Sequence, residues 1–137
     1  MADANDWNAN VIKEFRENDG KVGGMFEGAT IILVHHVGAK SGVERVTPLA
    51  YRAEGDRTFI FASKGGADEN PAWYHNLLAH PRTTVEIGTE TLEVEAVVVG
   101  QPERDEVYAR QAAQWKNFDE YQKSTTRVIP VVELKRV

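Results

Sequence analysis

The chain has 137 residues, a length that predicts one domain, residues 1–137, with a core large enough to fold without disulfides or a metal. It contains no cysteine, which excludes disulfides, zinc–thiolate sites and thiol nucleophiles. Its formal net charge of −5 argues against nucleic-acid binding through overall electrostatics, so any site for an anion must be local.

The longest apolar run, at residues 29–37, is interrupted by a threonine and two histidines and is too short to span a bilayer. No basic segment followed by an apolar one opens the chain, so no Sec-type leader is expected. These features predict a cytoplasmic protein. Peripheral contact with the inner face of the membrane stays open, although the charge of the chain does not favour it.

The first predicted element is an amphipathic helix within residues 1–20. Trp7, Val11, Ile12 and Phe15 form one apolar stripe with helical spacing. Five acidic and two basic residues give the segment a net charge of −3, and anionic lipid repels such a face. We therefore expect the helix to pack on the domain, with membrane binding or the covering of a pocket as alternatives.

Six strands are predicted after this helix. Runs rich in β-branched residues or alternating in polarity occupy residues 29–37, 45–52, 57–63, 83–87, 91–99 and 128–135. Pro48 cannot donate a ladder hydrogen bond, so its strand should lie at an edge or contain a bulge there. Helices are predicted at 71–79, 102–114 and 115–122. These elements predict a mainly β (α+β) fold, a split antiparallel β-barrel of about six strands with the helices packed outside.

Several common catalytic patterns are missing from the sequence. No Gly-x-Gly-x-x-Gly fingerprint or Walker loop occurs, which argues against a nicotinamide site on a Rossmann domain. His35 and His36 are adjacent on a strand, so their side chains point to opposite faces and cannot share a metal ion, and we interpret both as structural strand residues. His75 and His80 are interpreted as helix-surface or helix-end residues. We expect neither a metal site nor a hydrolase.

The segment at residues 59–76 is the strongest functional candidate. Its apolar strand ends in a Ser-Lys-Gly-Gly turn at 63–66, where glycines allow close approach of the backbone and a lysine supplies charge to an anion. Asn70 is predicted as the N-cap and Pro71 as the first residue of the next helix, whose positive end would lie beside the turn. An ordinary strand–turn–helix connection is the alternative.

A second turn, at residues 38–42, contains Lys40 and Ser41 and is followed by Arg45. If both turns lie at the same end of a barrel, Lys40, Arg45 and Lys64 would place three positive charges around one anion. Each of these cations alone would be an ordinary surface residue. The two turns together favour an anionic cofactor.

Five motifs occur in order along the chain, at residues 38–42, 45–49, 62–66, 70–77 and 127–130. Together, over residues 5–135 or so, they closely resemble the deazaflavin-dependent nitroreductase family of actinobacteria. Members of that family have a split β-barrel fold and bind coenzyme F420, an 8-hydroxy-5-deazaflavin. The resemblance implies that the 40–45 loop and the 63–65 turn hold the phosphate and the acidic tail of the cofactor, and that other residues line the deazaflavin.

The cofactor-binding positions that the resemblance implies are Lys40, Ser41, Arg45, Val46, Thr47, Pro48, Leu49, Ala50, Phe61, Ala62, Ser63, Lys64, Gly65, Ala72, Trp73 and Asn76.

Residues 115–123 match an aromatic helix that closes over the substrate in this family, with Trp115, Phe118 and Tyr121 as its lid residues. Ser63 and Tyr121 are the candidate catalytic residues, because either hydroxyl could hydrogen-bond or protonate the acceptor. Two departures from the family stand out. Ala39 lies where many relatives have a basic residue. Trp115 and Phe118 lie where relatives active on nitroimidazoles tend to have tyrosines, which leaves activity on nitro compounds open.

The function that the resemblance implies is transfer of a hydride from reduced F420 to a conjugated, electron-poor small molecule of the quinone, enone or nitro type. A split-barrel reductase that uses FMN or FAD and a non-catalytic deazaflavin carrier are the alternatives. No nucleic-acid partner is expected, since the chain is acidic and lacks an aromatic, basic strand face. The sequence does not predict an oligomeric state.

Overall fold

The computed structural model describes residues 4–18 and 31–137, with the side chains of residues 4–8 left aside. The Trp7 side chain and the first two residues of the predicted first strand therefore lie outside the described part. Within it, the elements are α1 (Ala4–Glu17), β1 (Ile31–Val37), β2 (Glu44–Glu54), β3 (Arg57–Phe61), a 3-10 turn (Lys64–Gly66), α2 (Ala72–Ala79), β4 (Arg82–Ile87), β5 (Glu90–Val98), α3 (Glu103–Gln114), α4 (Lys116–Lys123) and β6 (Val131–Arg136).

The six strands form a closed antiparallel barrel in the order β1-β2-β3-β6-β5-β4. This confirms the predicted barrel and its strand number. Three neighbouring pairs, β1–β2, β2–β3 and β4–β5, are hairpins that the turn residues indicated. The closure is made by β1 with β4 and by β6, which lies between β3 and β5. These long-range pairings have no local signal in the sequence.

The side chains of every second strand residue point inward and fill the barrel interior. Because all of these side chains are removed from water, each contributes about 1.5–3 kcal/mol of hydrophobic stabilisation. Trp73 and Leu77 of α2 belong to the same cluster, so this helix closes part of the interior and does not lie wholly outside. The fully buried members include Ile32, Val34, Ile60, Val85, Val94, Val132 and Leu134.

Two further clusters attach helices to the outer face of the barrel. Val11 and Phe15 of α1 pack against Ile31 and Leu33 of β1, which confirms that the N-terminal helix packs on the domain. Arg16 of the same helix donates to both carboxylate oxygens of a β4 glutamate, at 3.1 and 2.7 Å. The second cluster joins α3 and α4 to β3 and β6; it contains Phe59, Phe61, Val99, Val107, Tyr108, Phe118, Ile129 and Val131.

Pro48 lies in the part of β2 that has a neighbouring strand on one side only, as its missing N–H predicted. Strand β1 pairs with residues 44–50 of β2, and Pro48 faces Leu33 in that ladder. Strand β3 pairs with residues 51–54 alone. The opposite side of residues 44–50 therefore has no strand partner within the described ranges, and we call it the open edge of β2.

Candidate functional site

The two predicted anion-binding turns flank the open edge. Strands β1 and β3 are both antiparallel to β2, so they run in the same direction and the turns that follow them leave the barrel the same way. Measured along β2, however, the 38–43 turn lies beside Glu44 and the end of β3 lies beside Tyr51. Lys64 lies three residues beyond the end of β3, so the strand pairing does not fix its distance from Lys40. The convergence of Lys40, Arg45 and Lys64 on one anion therefore stays a prediction.

An unpaired strand edge flanked by two turns suits an elongated ligand. An unpaired strand edge presents a row of free N–H and C=O groups. The side chains of β2 alternate across it: Val46 and Ala50 pack toward α1, while Leu49 packs toward the barrel interior. Because these side chains lie on opposite faces, a ligand near all of them would have to run along the backbone between the two faces.

Asn76 of α2 ties the 38–43 turn to the barrel. Its side-chain Oδ1 accepts a hydrogen bond from the Ala39 backbone N–H at 3.0 Å, so its Nδ2 is the group that faces His36. That Nδ2 donates to His36 Nδ1 at 2.9 Å. The His36 Nε2 lies 2.8 Å from Thr47 Oγ1 on β2. One continuous chain of hydrogen bonds therefore joins the turn, the helix and both strands.

His36 can complete this chain only as the neutral imidazole with its proton on Nε2. Nδ1 must accept from Asn76, which leaves Nε2 to donate to Thr47. Burial lowers the pKa of His36 below its ordinary value, and the positive charges of Arg45 and His35 lower it further. His35, on the opposite face as predicted, instead hydrogen-bonds to Glu44 and Glu86.

Two residues of the 63–66 turn, Lys64 and Gly66, have a positive φ, which is uncommon for residues with a side chain. Lys64 has a φ of +47° and is a non-glycine residue in the left-handed region. Strain of this kind costs about 1–3 kcal/mol and is concentrated at functional sites. The Lys64 ammonium group pairs with Glu69 at 2.6 Å, and both side chains are largely exposed. A solvated pair of this type is weak, so a bound anion can compete for the lysine.

The predicted cap of α2 is displaced by one residue. Pro71 is the N-cap and Ala72 the first helical residue, so the prediction of Asn70 as cap and Pro71 as first helical position is wrong. Asn70 Oδ1 instead accepts a hydrogen bond from Arg127 at 2.8 Å. The side chain that would cap the helix is engaged by a residue more than fifty positions away, which local patterns cannot reveal.

The aromatic residues of α4 fall into two groups. Phe118 is buried, and its ring lies edge-on to the rings of Phe61 at 5.4 Å and Tyr108 at 6.3 Å. It therefore anchors the helix on β3. Trp115 and Tyr121 are only half-buried and leave ring surface accessible. The Tyr121 hydroxyl accepts a hydrogen bond from Asn117 Nδ2 at 3.1 Å.

The remaining candidate positions lie around the junction of β3 and α2. Phe61, Ala62 and Trp73 are buried, whereas Ala72 is exposed at the start of α2. The Ser63 side chain is half-buried, and its hydroxyl makes no hydrogen bond to the described residues. Gly65 lies inside the 3-10 turn, next to Lys64. Ser41, in the other turn, accepts from the Val43 backbone N–H at 3.2 Å.

Sequence reasoning missed two residues at this site. His36 was interpreted as a structural strand residue, although it contacts two of the predicted cofactor positions, Thr47 and Asn76. Arg127 was noted only as part of a motif, although it contacts the 63–66 turn directly. No group of metal-ligating side chains occurs among residues 4–18 and 31–137. In the same ranges, no helix is long and apolar enough to cross a bilayer.

The closed barrel, the open edge of β2 between two turns that carry lysines, and the aromatic helix packed against the 63–66 turn define a class of protein. They are the features of a split-barrel oxidoreductase for an elongated, anionic redox cofactor. The chain belongs to the F420H(2)-dependent quinone reductase family, whose model matches residues 7–136. It is therefore an F420-dependent oxidoreductase, as the motifs predicted, and the alternatives of an FMN enzyme and a non-catalytic carrier lose their support.

Individual relatives agree with this assignment. An F420H(2)-dependent quinone reductase of Mycobacterium tuberculosis (strain ATCC 25618 / H37Rv) is 41% identical over 128 residues, which cover 89% of this chain and 85% of the relative. The solved structure of an F420-H2-dependent reductase, FDR-A, is 34% identical with a TM-score of 0.70, covering 77% of this chain and 93% of that one. A structure described as a domain-swapped dimer is 30% identical with a TM-score of 0.72, covering 97% and 100%.

Proposed function

We propose that this protein reduces a quinone-type acceptor with a hydride from reduced F420 bound along the open edge of β2. Family membership supplies the cofactor and the reaction class. The quinone is the acceptor named for the mycobacterial relative. Enone and nitro compounds are related acceptors, since they too are conjugated and electron-poor. The observation that carries the proposal is the unpaired edge between the turn that contains Lys40 and the turn that contains Lys64.

The residues of the edge suit each part of the cofactor. Lys40, Ser41, Arg45 and Lys64 would hold the anionic groups of the phosphate and acidic tail. Pro48, Leu49, Ala50, Phe61, Ala62, Ala72, Trp73 and Asn76 would form the mainly apolar wall of the deazaflavin, and Val46, Thr47 and Gly65 would contribute backbone or hydroxyl contacts.

In the proposed mechanism, the protein orients the reactants and excludes water, while F420 supplies the hydride. Trp115 and Tyr121 would cover the acceptor as a lid, held in place by the buried ring of Phe118. Addition of a hydride to a quinone leaves negative charge on its oxygen, which a hydroxyl group can stabilise or protonate. The Ser63 hydroxyl, free of other described partners, and the Tyr121 hydroxyl are the candidates for this role.

A charge variant at Lys64 tests the location of the cofactor. Lys64→Asn removes the ammonium group but keeps a residue type that tolerates positive φ, so it separates charge from backbone strain. Loss of a charge-assisted contact costs about 1.5–3 kcal/mol, so the F420 dissociation constant should rise about tenfold to a hundredfold. Titration followed by tryptophan fluorescence measures it.

Lys135→Asn is the matched control, because this lysine is exposed on β6, away from both turns. It should bind F420 with the affinity of the wild type. If Lys64→Asn also binds F420 with unchanged affinity, Lys64 is no part of the site.

We further propose that the protein works in the cytoplasm. The absence of cysteine fits a reducing compartment, and the acidic segment at residues 1–20 does not favour an anionic membrane surface. Co-sedimentation with vesicles containing anionic lipid tests for peripheral binding, which would contradict the charge argument.

A further inference from the structure

Arg127, in the segment between α4 and β6, holds both ends of the 63–66 turn with one side chain. Its Nη1 donates to the Ala62 carbonyl at 3.1 Å, and its Nη2 donates to the Ser63 carbonyl at 3.0 Å. Its Nε donates to the carbonyl of Ala67 at 2.9 Å, on the far side of the turn. The planar guanidinium thus bridges the residues that enter the turn and those that leave it.

The same side chain also orients the approach to α2. Arg127 Nη1 donates to Asn70 Oδ1 at 2.8 Å, directly before the helix begins. All four acceptors of the guanidinium are uncharged oxygens. The positive charge of Arg127 is therefore not neutralised by its own contacts, and it adds to the potential that Lys64 provides at the turn.

The position of Arg127 is itself fixed from behind. Gln122 of α4 donates through Nε2 to the Arg127 carbonyl at 2.7 Å. The Gln122 Oε1 accepts from the buried Arg104 of α3 at 2.6 Å and from the Ile129 N–H at 3.1 Å. These contacts fix the backbone that carries Arg127, so its side chain starts from a defined position when it binds the turn, which is the condition for preorganisation.

We propose that Arg127 is a positioning residue for the cofactor. It fixes the conformation of the 63–66 turn, including the left-handed Lys64, and supplies positive charge behind it. This inference rests on the proposed cofactor site at the open edge of β2. Because Arg127 acts through the turn, its loss should weaken F420 binding even where the barrel stays folded.

The test compares Arg127→Lys, Arg127→Ala and Arg57→Lys. Arg127→Lys keeps the charge but cannot reproduce the fork, so the F420 dissociation constant should rise about tenfold. Arg127→Ala should bind more weakly still, and millimolar guanidinium should restore part of its affinity by occupying the vacated position. Fluorescence titration with F420 measures all of these constants.

Arg57→Lys is the matched control. Arg57 also makes four hydrogen bonds that join elements, two to Glu103 and two to Glu133, but it lies at the opposite end of β3 from the turn. The Arg57→Lys variant should have a lower thermal unfolding temperature and an unchanged affinity for F420.

The outcomes separate this inference from the proposed site. Wild-type affinity in both Arg127 variants, with weakened binding in Lys64→Asn, overturns the role of Arg127 alone. Wild-type affinity in Arg127→Lys, Arg127→Ala and Lys64→Asn places the cofactor elsewhere and overturns the proposed site. Weaker binding in Arg127→Ala that guanidinium does not restore, together with an equal loss in Arg57→Lys, would assign Arg127 a general structural role and also overturn the inference.

Discussion

Both ring nitrogens of His36 form hydrogen bonds with residues proposed to line the cofactor. In the folded protein the neutral ring accepts from Asn76 and donates to Thr47. A proton on Nδ1 would face the Asn76 amide hydrogens, so protonation breaks the chain that reaches Ala39. The lowered pKa of His36 likewise favours the neutral ring in the folded protein.

This preference predicts a pH dependence of stability. The unfolded state takes up the proton near the ordinary histidine pKa of about 6.5, whereas the folded state takes it up only at lower pH. The contribution of His36 to the free energy of unfolding is therefore complete above about pH 6.5 and is lost as the pH falls toward the folded pKa. Each tenfold difference in proton affinity between the two states is worth about 1.4 kcal/mol. Thermal unfolding without cofactor between pH 8 and 5 measures the loss.

His36→Gln keeps one donor and one acceptor but does not titrate, so it should lose less stability than the wild type over this range. The other three histidines, His35, His75 and His80, are present in both proteins, so the comparison isolates the change at His36. Parallel pH profiles for the two proteins would contradict the assigned role of His36.

At the scale of elements, α4 is in direct contact with the 63–66 turn. Gly66 has a φ of +85°, and a methyl group on its Cα would lie 3.0 Å from the Tyr121 carbonyl oxygen and 3.1 Å from the Ser124 Cβ. Thr125, just after the helix, donates to Asp68 Oδ1 at 2.9 Å. The helix that carries the proposed lid residues is thus packed against the turn proposed to bind the cofactor.

Gly66→Ala should therefore do more than strain the backbone. A left-handed alanine costs about 1–2 kcal/mol by itself, and the added methyl must also push α4 away from the turn. We expect a larger loss of stability than from Gly88→Ala, together with weaker F420 binding and slower quinone reduction. Thermal unfolding, fluorescence titration and a turnover assay measure the three effects.

Gly88, in the β4–β5 hairpin, is the control for backbone strain. Its φ is +59°, and a methyl group there would meet no atom within 4 Å. Gly88→Ala should lose stability from strain alone and keep wild-type affinity and turnover. Equal effects of the two substitutions would show that contact between α4 and the turn has no functional role.

The elements that the sequence predicted correctly are those with a local signal. The β-branched and alternating runs gave all six strands, and the stripe containing Val11 and Phe15 gave the packing of α1. Pro48 predicted the edge of β2 because a missing N–H is a property of one residue. The length of the open edge could not be predicted, because it depends on the register between β2 and β3. Asn70 and Arg127 were missed for the same reason, since their hydrogen bond joins distant parts of the chain.

At the scale of the whole molecule, arginine–glutamate pairs fasten the outer helices to the barrel. Arg16 of α1 binds Glu86 of β4, and Arg57 of β3 bridges Glu103 of α3 and a β6 glutamate. Such pairs connect elements whose hydrophobic contacts cover only one face. Protonation of their carboxyl groups therefore weakens the attachment of several helices at once.

Glu54 forms another of these links, between β2 and α3. Arg110 of α3 binds both of its oxygens at 2.8 and 2.9 Å, and Arg52 donates to it at 2.6 Å. Hydrogen bonding to Arg110 first, and then to Arg52, lowers the pKa of Glu54 to about 2. Because the folded pKa lies below the unfolded value of about 4.3, the contribution of Glu54 to the free energy of unfolding is complete above that value and is lost as the pH falls toward 2.

Glu54→Gln should lower the unfolding temperature at pH 7 and flatten the fall of that temperature below pH 5. The contribution of His36, which is lost at higher pH, should persist in this variant. An acid limb as steep in Glu54→Gln as in the wild type would mean that other carboxylates control the acid stability of the barrel.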